Sequence, residues 1–327
     1  MKITRAHTAG IILIAAAAAY SLWMNTNPSG SGSDRAAAVD QPDSSAVPPP
    51  ASGPAGKVLE PRDMQVARMV SGDALNYRER DQACRGLSDR ITESDVAVLV
   101  RFVSGSKPVG IATTEWHALF NDTLNQLRHQ QRMPSGLTKA LIAISANPDK
   151  DPVIRDYAVQ HLCCLYSDRH PMARRENDPT LRTEILKAID AEARRSGSAH
   201  AGTALIALNH IEMIGREPAE EKWSQSSSAA LDDLALQLAA GGANIHQIAR
   251  VAALQVCAMR GLRSVLPVAR KLAGDDAVDA ALRTSAIGCL GILGDPTDQP
   301  VLEAISNSGG RLALAASPAI QRIQSRN

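Results

Sequence analysis

The chain has 327 residues, of which 44% are hydrophobic and only 3% aromatic. A single globular core of this length uses more Phe, Tyr and Trp to fill space, so an Ala/Leu/Ile/Val-rich chain points instead to closely packed helix pairs. Lys and Arg together number 35 against 34 Asp and Glu, a net charge of +1, whereas a chain built to neutralise a nucleic-acid backbone carries a clear basic excess.

The N-terminus, taken first, carries its own message. Lys2 and Arg5 precede an uncharged run from Ala9 to Met24, AGIILIAAAAAYSLWM. Residues 1–24 therefore read as a signal peptide or an N-terminal transmembrane anchor. The run is slightly short of the ~20 residues of a full span, but Trp23 suits a membrane–water interface. Positive charge before the run and little after it predicts that the rest of the chain lies outside the cytoplasm. That would mean an inner-membrane-anchored protein with a periplasmic domain, or one secreted to the periplasm or cell surface. Residues 25–60 are rich in Pro, Ser, Gly and Ala, with Pro48, Pro49 and Pro50 in succession. This composition cannot build a core and predicts a disordered linker, on the order of 30 Å from end to end.

Helix signals begin near residue 62. PRDMQVARMVSG predicts a capping helix. A segment at 77–89 pairs with 93–104, which Thr92 or Ser94 can cap. A helix at 114–130 carries Trp116, Leu119, Phe120, Leu124 and Leu127 on one stripe, and pairs with 135–146 under a Ser135 cap. The third pair is 152–166 with 179–195, across the long polar connection SDRHPMARRENDP. The fourth is 199–214 with 228–240, across another long connection that contains Trp223. The fifth is 245–260 with 263–273, the sixth 277–293 with 297–307, and 312–324 closes the series. No stretch shows sustained strand alternation, so residues 61–327 are read as an all-α domain of about six helical pairs plus terminal cap helices.

Within that domain LRTSAIGCLGILGDPTDQPVLEAI, residues 282–305, repeats its neighbour. Moving back 33 residues places Arg283 on Arg250, Ala286 on Ala253, Leu290 on Cys257, Gly294 on Gly261, Pro300 on Pro267, Val301 on Val268 and Ile305 on Leu272. The Arg-x-x-Ala-x-x-x-apolar core recurs at Arg155, Ala158 and Leu162, and at Arg80, Ala83 and Leu87. Two weaker matches put His117 and Ala201 where the arginine would stand. Gly294 is expected to stop its helix in the left-handed region. Asp295 and Pro296 suit a turn, and Thr297 or Asp298 can cap the next helix. An αα-hairpin cannot bury its own apolar faces, so repeated hairpins predict stacking on neighbours.

These stretches, DPVIRDYAVQHL and LRTSAIGCLGILGDPTDQPVLEAI, resemble HEAT-type helical repeats, including the HEAT-like repeats of the phycobilisome lyase group. The resemblance covers roughly residues 62–325. It implies an armadillo-type, right-handed α-α superhelix preceded by the N-terminal apolar helix and the linker. It also implies that the repeated arginine bonds an acidic turn residue or a carbonyl of an adjacent repeat. Asp295 is such a turn residue, whereas Leu262 stands at the matching place one unit earlier, which interrupts any regular Arg–Asp ladder.

Chemistry-bearing motifs are sparse. Cys84, Cys163, Cys164, Cys257 and Cys289 fall in first helices at core positions and read as small packing residues. A Cys257–Cys289 bridge between neighbouring repeats is the alternative. His161, Cys164 and His170 lack the CxxC or HExxH spacing of a metal site. The remaining histidines are scattered, and no nucleophile elbow or phosphate loop occurs. Asp232–Asp233 and Asp275–Asp276 read as helix-start carboxylates favouring the macrodipole. Arg101, Lys139, Lys187, Arg194, Arg270 and Lys271 on second helices could line an inner surface. The sequence therefore assigns no catalytic, cofactor or metal residue. It favours a non-enzymatic scaffold or adaptor that binds a protein or peptide on a solenoid surface and reaches the membrane through residues 9–24. The alternatives are an enzyme or accessory enzyme subunit, since some HEAT-like proteins attach bilins or remove damaged bases, and a structural part of an envelope complex.

Overall fold

A computed structural model describes residues 62–71, 76–167, 176–214 and 221–326. The apolar run at 9–24, the linker at 25–60, His170 and most of the connection after Ser167 lie outside the described residues. The described part belongs to one unit, Pro61–Asn327. It is all-α, with fourteen helices and no strand among the described residues. They are α1 (Arg62–Val70), α2 (Tyr77–Arg85), α3 (Glu93–Ser104), α4 (Thr113–Arg128), α5 (Leu137–Ala146), α6 (Pro152–Ser167) and α7 (Pro179–Ala193). The remainder are α8 (Ala201–Ile214), α9 (Glu221–Ala240), α10 (Gln247–Arg260), α11 (Leu266–Gly274), α12 (Ala280–Leu293), α13 (Gln299–Asn307) and α14 (Gly310–Gln324). Short 3-10 turns at Arg263–Val265 and Pro296–Asp298 lead into α11 and α13. Among the described residues no helix is long and apolar enough to cross a membrane.

Local sequence accounts for most helix starts. Asn76 accepts from the Glu79 amide while Glu79 accepts from the Asn76 amide, both at 3.1 Å. Thr92 and Asp95 form the same reciprocal box on α3, so two otherwise orphaned donors are satisfied at each start. Ser135 does not cap α5. The N-cap is Gly136 at φ 78°, a conformation that glycine enters without a Cβ clash. Gly294 also departs from expectation. Its φ of −65° is not left-handed, and glycine is needed there because a Cβ would lie 2.5 Å from the Leu290 carbonyl and 2.7 Å from Asp298 Oδ2. Asp232 and Asp233 sit well inside α9 rather than at its start, because that helix begins at Glu221. Asp275 follows the last residue of α11, and Asp279 caps α12 instead.

The helices form two ranks. The even-numbered helices pack side by side in chain order, α2 on α4, α4 on α6, and so on to α14. The odd-numbered helices α1, α3, α5 and α7 do the same, while side-by-side packing among the odd helices after α7 is slight. Each even helix packs more extensively on the helix before it than on the one after it. The most extensively packed consecutive pairs are therefore ones such as α5 with α6 or α11 with α12, one position out of phase with the pairs read from the sequence.

The core between the ranks is aliphatic. Leu119, Leu162, Ala253 and Leu290 are fully buried on α4, α6, α10 and α12. Phe102, Trp116, Phe120 and Tyr157 form one run of ring contacts at 5.3, 5.9 and 6.4 Å across α3, α4 and α6. Elsewhere small residues bring backbones together. A Cβ on Gly202 of α8 would meet Ala252 of α10 at 2.9 Å, and one on Gly291 of α12 would meet Ala319 of α14 at 2.8 Å. This close approach is what the low aromatic content leads one to expect.

Candidate functional site

The repeated arginines explain the phase of the helix pairs. Arg155, near the start of α6, donates Nε to the Ser145 carbonyl at the end of α5, at 3.0 Å. Arg283 of α12 directs Nε and a terminal nitrogen to the Ala273 carbonyl at the end of α11, at 3.3 and 3.2 Å. Arg80 of α2, 1% exposed, donates to the carbonyls of Met69 and Ser71 at the end of α1. Arg250 of α10 lies at the end of α9, where a Cβ on Gly241 would come within 2.5–2.7 Å of the guanidinium. In the first three a cation meets carbonyls that have no partner inside their own helix, and its charge complements the negative end of the helix dipole. Arg80, Arg155 and Arg283 thus all bind carbonyls at the end of the preceding helix, and Arg283 also reaches an acidic turn residue, Asp276, at 2.7 Å. Asp295 and Asp298 bind Arg270 of α11, at 3.3 and 2.6 Å.

A groove of about 320 Å³ runs between α5 and α7. Ile142 and Ala146 of α5 and Ala188 and Ala191 of α7 give it an apolar lining, with Glu184, Lys187 and Arg195 along it. Beneath lies Glu192, 3% exposed. Ser198 donates to its Oε1 at 2.7 Å. Arg195 and Arg155 reach its Oε2 at 3.0 and 3.5 Å, and His200 Nδ1 stands 3.4 Å from Oε1. Burial pushes the carboxyl pKa up, but the hydrogen bonds of His200 and Ser198 and the charges of Arg155 and Arg195 outweigh it, so the net shift is downward. The cluster thus keeps Glu192 ionised and locked, while the side chains free to meet a ligand are Lys187 and Glu184 on the rim of the groove. Of the basic residues singled out from sequence, Lys187 lines the groove. Arg194 pairs with Asp190 at 2.8 Å, and Arg270 is held by its two aspartates.

A second, partly buried network surrounds Arg260. Its guanidinium binds Glu212 of α8 at 2.6 Å, Asp232 of α9, Asn209 at 3.2 Å and the Ser228 hydroxyl at 2.8 Å. Every one of these contacts is to a neighbouring helix, so the network fastens α8, α9 and α10 together. Sequence reasoning misses both Glu192 and Arg260. The signal for Glu192 is an acid in step with Ile185 and Ile189 on the buried stripe of α7.

None of the five cysteines is in a disulfide, so no Cys257–Cys289 bridge forms. Burial pushes the thiols of Cys84, Cys257 and Cys289 up to about 12, which leaves almost no thiolate for chemistry at neutral pH. His161 is buried on α6, with Nε2 3.0 Å from Asn121 Oδ1 and Nδ1 3.5 Å from Arg128. Burial and the Arg128 charge hold its pKa well below the usual histidine value. Among the described residues no group of three or more His, Cys, Asp and Glu side chains is placed to hold a metal ion. Comparison with protein-family models, curated proteins and solved structures finds no match.

Proposed function

We propose that residues 61–327 form a HEAT-like α-solenoid acting as a non-enzymatic protein-binding scaffold, exported and held at the membrane by the N-terminal apolar segment and the linker. The observation that carries this reading is the serial packing of α2, α4, α6, α8, α10, α12 and α14, each against the next. Serial packing of repeated hairpins produces an extended surface whose stability comes from neighbours rather than from one shared nucleus. Supporting it, the charges of buried Glu192 and part-buried Arg260 are spent on joining helices, and the groove between α5 and α7 combines an apolar lining with charges of both signs. Such a lining suits a peptide held by shape and several modest contacts.

The test places a photo-crosslinking residue at Ala188 in the full chain in its native host. The scaffold reading expects one discrete protein adduct, lost when Lys187 and Glu184 exchange charges (Lys187→Glu with Glu184→Lys). Equal adducts in both forms, or none in either, contradict it. The export reading has a separate check: a reporter fused after Glu60 that is active only in the cytoplasm overturns it.

A further inference from the structure

The side-chain acceptors at Asn76, Thr92, Asp178, Asp279 and Asp295 are all oxygens. At the start of α10 the acceptor is a histidine. His246 Nδ1 takes the Ile248 amide at 3.2 Å, in the position an asparagine Oδ1 would fill. The same residue closes a seam: its backbone amide donates to the Ser196 carbonyl at 2.8 Å, and a Cβ on Gly197 would lie 3.3 Å from the Asn244 carbonyl. The turn after α7 is thus fitted against the turn that precedes α10, at the place where packing among the odd-numbered helices thins.

We infer that His246 is a proton-sensitive joint, at which protonation removes the Nδ1 acceptor, frees the first turn of α10 and loosens the seam to residues 196–198. An imidazole nitrogen can accept the Ile248 amide only while unprotonated. An imidazolium there would also face the positive end of the α10 dipole. The neighbouring His200 acts in the same sense. His200, just before α8, has Nε2 2.8 Å from the Pro152 carbonyl, and its charge acts on His246. Arg195, just after α7, and Arg155 of α6 are bound to Glu192, and Arg250 lies one turn along α10. Glu192 is the carboxylate in this group, and it is already engaged by Ser198, Arg195 and Arg155. Burial and the neighbouring His200 hold the His246 pKa below the usual histidine value. The folded, capped form therefore binds the proton more weakly than the released form. The cap is complete above the ordinary value of about 6.5 and is lost progressively as pH falls from there towards the depressed one.

The experiment is hydrogen exchange at the Ile248 amide of the full chain, corrected for intrinsic rates, at pH 7.5 and 5.5. Protection is expected to fall in the native protein, by at most about tenfold one pH unit below the ordinary histidine value. In His246→Asn, which keeps the acceptor without the titration, protection should stay constant. A flat profile in the native protein, or the same fall in His246→Asn, overturns the inference. If His246→Asn does not fold, the native protein decides. Its His246 ring must titrate below 6.5 with the same midpoint as the Ile248 amide shift, and a ring titrating at or above 6.5 refutes the joint.

Discussion

Replacing Arg283 by Met should destabilise the domain by about 2–4 kcal/mol. Met keeps most of the apolar stem and removes the guanidinium. Two of its nitrogens converge on the Ala273 carbonyl, and the side chain is 12% exposed, so little water is at hand to replace them. A hydrogen bond from a charged donor is worth about 1.5–3 kcal/mol, and a cation at a helix C-terminus about 0.3–1 kcal/mol. The third contact, to Asp276 at 2.7 Å, involves a carboxylate that is 93% exposed, and such a pair adds close to nothing. For a domain of this size the change corresponds to a fall in Tm of about 4–12 °C. Urea denaturation followed by circular dichroism measures it, with Asp276→Asn as the control expected to stay within about 0.5 kcal/mol. The reasoning fails if Arg283→Met also stays within that margin, or if Asp276→Asn costs as much as Arg283→Met. The second result would make the arginine an ion-pair residue rather than a helix cap.

The packing leads to three other outcomes. Burial, partly countered by Arg85 and reinforced by Asp81, raises the Asp122 pKa above its usual value. A carboxyl raised in the folded state costs stability once pH exceeds the unfolded value, so Asp122→Asn should stabilise by less than about 1 kcal/mol at pH 7. The gain should vanish near pH 3, and denaturation midpoints at the two pH values check this. Gly291→Ala should cost about 1–3 kcal/mol by forcing α12 and α14 apart, and Ala319→Gly in the same chain should recover part of it, read from Tm. Cys84, Cys257 and Cys289 should alkylate at pH 8 ~1,000-fold more slowly in the native protein than in urea, because a thiol near 12 holds so little thiolate. Mass spectrometry of peptides after timed iodoacetamide treatment measures this, and fast labelling of any of the three would contradict their burial.

The helices themselves are legible because apolar residues recur at the helical period from residue 62 onward, and the boundaries fall within a few residues of those read from sequence except at α9. That helix begins at Glu221, within the polar, serine-rich stretch whose composition reads as a connection. The recurrence of Arg80, Arg155, Arg250 and Arg283 is equally visible. The carbonyl partners of Arg80, Arg155 and Arg283 are not, because a backbone carbonyl leaves no mark in the sequence. The pairing of α11 with α12 rather than α10 with α11 is hidden for the same reason: the repeat shows which helices recur together, while the carbonyl that Arg283 holds is on α11. Glu192 and Arg260 are obscured because a charged residue on an apolar stripe shows its destination only once Ser198 or Glu212 is seen beside it. Gly294 shows a further limit, since a close approach and a left-handed turn both select glycine and only the backbone tells them apart.

Serial packing is tested most directly by shortening the chain after Gly294, which removes α13 and α14, and measuring hydrogen exchange along the remainder. If each even-numbered helix is stabilised by its neighbours, protection from α2 through α8 should match that of the intact chain, with losses confined to α10–α12. Uniform loss of protection back to α2 would mean that the helices share a single cooperative centre, contrary to the arrangement described.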